Sequence, residues 1–487
     1  MKIKKLMALL LAAAMGMGAV GCSKTQSDNG SEFADAEENA VITFYYPGGL
    51  PPADSDLVNE KLSEYTMEKI NAKVKFERFD WNSYDQKVSS SIASGESFDL
   101  LFTCDWAAPY LQYAQKGAYM ELDELLEQYG QDILKAIAPE MFDAVRVNGS
   151  IYTVPVNKEH AHSVGFLFRK DLIEKYGIDV STIKDLDTLD AALAIAKEKD
   201  PDKYPLGVGK EGLTQLLDFD TITGSSSAPG ALYSKVGETE VVNQYATEEY
   251  MNLSKKVREF YQKGYIRPDV ATKSTSSSTA DEFAQVASLK PGKDKESAGE
   301  FEYIQVEFTS PVFRTADATG AMAAISHTCK NPVSAMKVLN LMYSDSTFLD
   351  MLYYGIEGKH YNVTEDGRIK QVVDSGYMTT TQWMFGNQYI AKIKDTEDVD
   401  KWDKIKKFNE EAVVLDSIGF VFDQTAVKTE MGACANVIAE YGFLINCGVS
   451  DPETTVPEFL KKLNDSGAQT IIDEVQKQYD EFLKSKK

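Results

Sequence analysis

Three features of this chain predict an α/β protein built on a parallel sheet. Residues 41–103 alternate strand-like and helix-like stretches in the order strand, helix, strand, helix, strand, the order that parallel strands joined by crossover helices require. Within that run Ala72, Val74 and Phe76 alternate with Lys73, Lys75 and Glu77, the period of a half-buried strand. From Gly320 onward, after a long middle section, the chain returns to a strand followed by a helix.

The elements follow in order. Val41-Ile42-Thr43-Phe44-Tyr45-Tyr46 is a β-rich run ended by Pro47-Gly48-Gly49. Asp54 or Ser55 can cap a helix that carries Val58, Leu62 and Tyr65 on one face. The alternating strand comes next, then a helix from about Tyr84 to Ala93 stopped at Ser94-Gly95, and a third strand at Phe98–Thr103. In the middle section Phe166-Leu167-Phe168 reads as a short strand, Lys170–Tyr176 as a helix stopped by Gly177, and Leu186–Glu198 as a helix broken by Asp200-Pro201. Tyr250, Leu253, Val257 and Phe260 mark one face of a further helix. Thr272–Thr279 is a Ser/Thr run of solvated-loop composition. Ala321–Ser326 is a strand, and Asn331-Pro332 opens a helix through Tyr343. There is no internal repeat and no second apolar span.

The N-terminus carries a separate signal. Lys2, Lys4 and Lys5 precede an uncharged apolar run, Leu6–Val20, too short for a lasting membrane span, and this reads as a secretory leader. Ala19-Val20-Gly21-Cys22 resembles a bacterial lipobox, with Ala19 where that pattern prefers Leu. Cleavage before Cys22 would free its thiol and amine for acylation, and several acyl chains at about 0.8 kcal/mol per buried methylene hold a protein to a membrane. Ser23–Asn39 is polar and aperiodic, a tether. The predicted place is the outer face of the cell membrane, which leaves little room for ATP-, NAD- or nucleic-acid-dependent chemistry.

Removing residues 1–21 leaves 466, enough for two or three domains. Loss of the three leader lysines takes the formal charge from −24 to −27. An acidic surface of this kind repels nucleic acid and polyanions, so a neutral ligand is the easier fit. Cys104, Cys329, Cys434 and Cys447 contain no CxxC spacing and read as buried free thiols, with Cys434–Cys447 the one pairing to check.

In open α/β sheets ligands sit beyond the carboxyl ends of the strands. Those ends are Tyr46–Gly49, Asp80-Trp81 and Cys104-Asp105-Trp106. Two tryptophans thus fall beside aspartates where the fold class places its ligand. An indole face can stack on the C–H face of a sugar and a carboxylate can accept its hydroxyls; capping the sheet as core residues is the alternative for both tryptophans, and the more polar stretch around Trp106 favours binding there. Trp383, in Thr381-Gln382-Trp383-Met384-Phe385, is a third stacking candidate, with a core role as the alternative. Glu357 lies with His360 in a Gly-bounded turn that displays polar groups, and is a hydrogen-bonding candidate or a structural turn residue.

Other patterns carry less. Gly207-Val208-Gly209-Lys210-Glu211-Gly212 spells GxGxxG, yet the strand before it is poor and Pro205 is close. His160-Ala161-His162 offers two imidazoles without further ligands nearby. No catalytic spacing stands out, and no metal or cofactor is expected. A glycosidase dyad would be defined by a spatial separation of carboxylates that sequence does not give.

Several stretches resemble the family 1 extracellular solute-binding proteins of ABC importers. They are Ser94-Gly95-Glu96-Ser97-Phe98-Asp99-Leu100, Asn148-Gly149-Ser150-Ile151-Tyr152-Thr153-Val154-Pro155, Phe168-Arg169-Lys170-Asp171-Leu172, and Lys330-Asn331-Pro332 through Ala335 to Leu339. Tyr354–Tyr361, Phe422-Asp423 through Glu430, Gly448, Asp451-Pro452-Glu453 and Gly467–Gln478 are similar to a lipoprotein subgroup with a C-terminal domain of unknown function 3502. The resemblance spans about Val41 to the C-terminus. It implies a two-lobed periplasmic-binding-protein-like fold with a hinge and a ligand cleft between the lobes. On it the expected division is a signal peptide 1–21, a tether 22–40, lobe 1 from 41–155 plus 320–375, and lobe 2 from 156–319 plus 376–487. It also implies a lipid-anchored, non-enzymatic, monomeric receptor that hands an oligosaccharide to ABC permease subunits. The rivals are a surface glycoside hydrolase and a binder of peptide or another small solute.

Overall fold

The computed structural model describes residues 38–225, 227–272 and 281–486. Cys22, with the leader and most of the tether, lies outside the described residues, as does most of the Ser/Thr run. Among the described residues no helix is long and apolar enough to cross a membrane.

Strands β1 (Ala40–Gly48), β2 (Ala72–Asp80) and β3 (Leu100–Thr103) alternate with helices α1 (Ser55–Ile70) and α2 (Tyr84–Ser94). β1 lies between β2 and β3 and is parallel to both, in a register that runs from Ala40 beside Ala72 to Gly48 beside Asp80. On the far side of β3 the strand Met322–Ile325 adds antiparallel, and Thr153–Pro155 closes that edge. The last five residues of β1 are all buried, as a central strand covered on both faces requires. Phe44, Phe76 and Phe385 pack there with ring centroids 5.4–5.7 Å apart.

α1 differs from expectation in two side chains. Thr66 joins Val58 and Leu62 in the core, while Tyr65 donates its hydroxyl to Asp345 at 2.9 Å. Asp54 makes no side-chain cap, because its carboxylate is taken by Lys359 and by His360 Nε2 at 3.0 Å.

A second sheet has the order Tyr303–Glu307, Ser163–Arg169, Ala284–Leu289, Leu206–Gly207. Its strand around Phe166 and Phe168 is antiparallel to both neighbours. Helices Lys170–Tyr176, Leu186–Lys199 and Glu248–Gln262 cover it, and Leu189, Leu193, Val257 and Phe260 fill the core between. The C-terminal helices Lys428–Val437, Pro452–Asp465 and Ala468–Ser485 bury a further cluster in which Phe459, Ile471, Val475 and Tyr479 meet Leu232, Tyr245 and Tyr250.

Three chain passages run between the two sheets. The first follows Pro155 and enters the second sheet at Ser163; the second leaves that sheet at Glu307 and returns at Met322; the third leads from Phe385 to Phe420 in the C-terminal cluster. They are tied side by side. His162 and Val312 exchange both backbone bonds, at 3.2 and 3.0 Å, while Val413 and Leu415 donate to Pro311 and Phe313 at 3.0 and 3.2 Å.

The chain past residue 375 stays with the first sheet longer than the expected division has it. Phe385 packs on Phe44, Tyr46 and Phe76, and Tyr377 donates to the Leu352 carbonyl at 2.9 Å. These bulky residues find their apolar partners there, which a boundary drawn from sequence order misses.

The GxGxxG stretch is a packing feature. A Cβ at Gly207 would lie 2.5 Å from the Glu282 carboxylate, and one at Gly212, whose φ is +56°, would lie 1.7 Å from the Asn446 carbonyl oxygen. Both glycines answer to close approach by protein.

Candidate functional site

The loop after β3 presents Asp105 and Trp106. It is closed by the Cys104 N–H donating to the Ala107 carbonyl at 3.0 Å and by Tyr110 N–H returning to the Cys104 carbonyl at 3.0 Å. Ala108, at a φ of +43°, donates its N–H to Asp85 of α2 at 2.8 Å. The loop is thereby pinned to the carboxyl end of the sheet, and its two functional candidates are turned outward. Trp106 is 51 % exposed and Trp81, just past β2, is 44 % exposed, so neither indole is a core residue.

Trp81, Trp106 and Trp383 form a row. The Trp81 and Trp106 ring centroids are 6.0 Å apart and inclined by 31°; those of Trp106 and Trp383 are 6.2 Å apart and inclined by 37°. Phe102 of β3 buttresses the row, edge-on to Trp383 at 5.6 Å. Trp383 sits in a short turn, Gln382–Met384, whose Gln382 amide donates to the Thr379 carbonyl at 2.7 Å.

A cleft of about 780 Å³ opens at Trp106, the middle ring of the row, and neither Trp81 nor Trp383 lines it; its volume is within the roughly 300–1,000 Å³ of small-molecule sites. One wall carries Asp105, Trp106, Tyr110, Gln112 and Gln115. The opposite wall comes from residues 220–225 and 420–428, with Thr223, Phe422, Asp423 and Lys428 among its side chains, and the short helix Thr315–Thr319 lies between. Partial desolvation by the surrounding wall, and then the negative Asp317, push the Asp105 carboxyl above its usual range. Asp220 is buried and also raised by that burial, against the hydroxyl of Ser417, which donates to it at 2.6 Å.

A smaller cavity of about 370 Å³ is lined by residues 158–162 of the first passage, by Lys290, Lys293 and Glu296 of the second-sheet side, and by Asp317 and Trp383. Lys158 and Lys290 reach Glu159 at 2.9 and 3.1 Å, and Lys290 reaches Glu296 at 2.9 Å. Burial raises the Glu159 pKa, but the two ammonium groups outweigh it and hold the carboxyl down at about 2. His162 Nδ1 lies 2.7 Å from Asp317 Oδ1, and His160 Nδ1 lies 3.1 Å from the Asn409 amide.

Of the sequence-derived candidates, Trp81, Asp105, Trp106 and Trp383 are brought together. Glu357 is not: it is exposed in the turn after Tyr354 and lines neither cavity. Its neighbour His360, expected on display, is fully buried; its Nδ1 accepts from Ile356 N–H at 2.9 Å and its Nε2 faces Asp54. Lys359 pairs with Asp54. Cys104, Cys329, Cys434 and Cys447 are buried free thiols. Cys434 contacts the Leu463 and Ser466 carbonyls while Cys447 contacts those of Gly209 and Lys210, so the two face different neighbours. The walls at 220–225 and 315–319 have no signature in the sequence beyond the polar run Thr221-Ile222-Thr223-Gly224-Ser225.

Residues 52–347 match the family model for bacterial extracellular solute-binding proteins, and residues 416–484 match a domain of unknown function, number 3502. The chain is 33% identical over 491 residues, 99% of this chain and 98% of the relative, to a carbohydrate ABC transporter substrate-binding protein of Streptococcus pneumoniae serotype 4. It is 26% identical to lipoprotein LipO of Bacillus subtilis, over 55% of this chain and 52% of the relative. Among solved structures it is similar to the N-glycan transport solute binding protein NgtS of Streptococcus pneumoniae, with a TM-score of 0.85 and 32% identity over 92% of this chain and 100% of that one. Against the NgtS complexes with Man1GlcNAc and Man5GlcNAc the TM-scores are 0.76 and 0.72, at 31% identity and the same coverage.

Proposed function

The chain belongs to the bacterial extracellular solute-binding proteins, and on that premise we propose that it captures a neutral oligosaccharide in the cleft between its two sheets and delivers it to the permease of an ABC importer. The observation that carries this reading is the row of Trp81, Trp106 and Trp383 beside a cleft rich in hydrogen-bonding side chains. Sugar rings present C–H faces to indoles and hydroxyls to amides and carboxylates. Asp105 is the acceptor next to the row, and Gln112, Gln115 and Thr223 offer further partners on the two walls.

Capture works by closure. Lobe 1 is the first sheet with its helices and residues 376–390; lobe 2 is the second sheet with the C-terminal helices; the three tied passages are the hinge. A ligand that touches both walls binds the closed form better and shifts the population toward it. The fall in TM-score from 0.85 to 0.76 and 0.72 between the three NgtS structures supports a difference in shape between the glycan complexes and the form described here. The relation to NgtS makes mannosyl-GlcNAc glycans the first ligands to try. Acylation of Cys22 would hold this monomeric receptor at the outer face of the membrane, beside its permease.

The test is titration calorimetry of the purified protein with Man5GlcNAc, followed by analysis of the recovered glycan. Saturable binding with intact glycan is the expected result. Cleaved glycan would replace the receptor with a hydrolase, and absence of heat with Man1GlcNAc and Man5GlcNAc alike would remove this ligand class.

A further inference from the structure

We propose that the 370 Å³ cavity is a second sugar subsite, continuous with the main cleft past Trp383, in which His162 accepts a hydroxyl from a distal residue of the glycan. This rests on the oligosaccharide reading above and adds the length of the ligand to it.

The two cavities share their partition. Trp106 lines the first and Trp383 the second, with their rings 6.2 Å apart. Ala316 of the short helix lines the first, and the next residue, Asp317, lines the second. A chain of sugar rings stacked along the indole row therefore passes from one cavity into the other.

The chemistry of the smaller cavity fits a neutral, hydroxyl-rich group. Its three lysines, Lys158, Lys290 and Lys293, face three carboxylates, Glu159, Glu296 and Asp317. The closest of these ions already pair at 2.9–3.1 Å, which leaves no net charge to draw an ionic ligand. His162 is a partly exposed polar group of this cavity. Asp317 accepts on both oxygens, from His162 Nδ1 at 2.7 Å and from the Arg314 backbone N–H at 2.8 Å. That arrangement puts the proton of a neutral imidazole on Nδ1 and a lone pair on Nε2. Among the described residues Nε2 has no protein partner, and the side chain is 23 % exposed. A hydroxyl of the ligand supplies the missing donor, and Trp383 offers the adjoining ring a stacking face.

A disaccharide held in the main cleft does not need this subsite, whereas a longer glycan does. The experiment compares Man1GlcNAc with Man5GlcNAc by calorimetry on the wild type and on His162→Asn. Asparagine keeps an N–H near the Nδ1 position for Asp317 and deletes the Nε2 acceptor; its melting temperature reports folding, and His162→Ala, which also lacks that acceptor, serves if it is lowered. Wild type is expected to bind Man5GlcNAc at least tenfold more tightly than Man1GlcNAc. The variant is expected to weaken Man5GlcNAc about tenfold, or about 1.4 kcal/mol, and Man1GlcNAc less than twofold. Equal wild-type affinities, or a variant that weakens both glycans alike or neither, would overturn the subsite while leaving capture intact. A wild type that binds neither glycan would overturn the capture reading and the subsite together.

Discussion

Trp106 illustrates how much a single side chain can be asked to say. Its place was legible because the fold class puts strand ends at the ligand site and the residue follows the third strand directly. Its exposure, 51 %, takes it out of the core, one of the two roles that sequence left open. Trp106→Ala is expected to weaken Man5GlcNAc binding by tenfold or more, about 1.4 kcal/mol. It should cost well under the roughly 3–5 kcal/mol that truncating a buried tryptophan costs. Calorimetry and thermal unfolding on the one variant separate the two; wild-type affinity with a sharply lowered melting point would make the indole a support of the strand-end loop and not a stacking face. His360 shows the opposite case. Nothing near it in sequence foretells its burial, because its partner Asp54 lies 306 residues earlier and the pairing exists only after the two segments meet.

At the level of elements, the long periodic pieces were readable and the short ones were not. β1, α1, β2 and α2 run for nine to sixteen residues each, so their apolar pattern outweighs local noise, while the four-residue β3, buried throughout, is legible only as an apolar run after a helix stop. The far wall of the cleft rests on Phe219–Asp220 and Leu232–Tyr233, two residues apiece, which have no period to read. Their position comes from packing on helices more than two hundred residues later in the chain, as with Leu232 and Val475 in one core. The glycines at 207 and 212 were likewise visible as a motif but not in their role. Since Gly212 combines a left-handed φ with a carbonyl where its Cβ would stand, Gly212→Ala is expected to destabilise by more than about 2 kcal/mol. Urea denaturation measures it, and an unchanged midpoint would show that the segment can move away from Asn446 at little cost.

For the whole molecule the prediction concerns shape. On the proposed closure, small-angle scattering with saturating Man5GlcNAc should give a smaller radius of gyration than without it. A glycan that binds by calorimetry and leaves the radius unchanged would mean that capture needs no movement of the lobes. The three tied passages, at His162, Val312 and Val413, have a further effect. A body hung on one strap can swivel and twist in every direction, and much of its entropy must be surrendered when a ligand fixes it. A door on three pins in line swings about one axis and is otherwise already set. On the proposed closure the two walls of this cleft would therefore meet a glycan in a fixed alignment each time, with little of the binding energy spent on finding it.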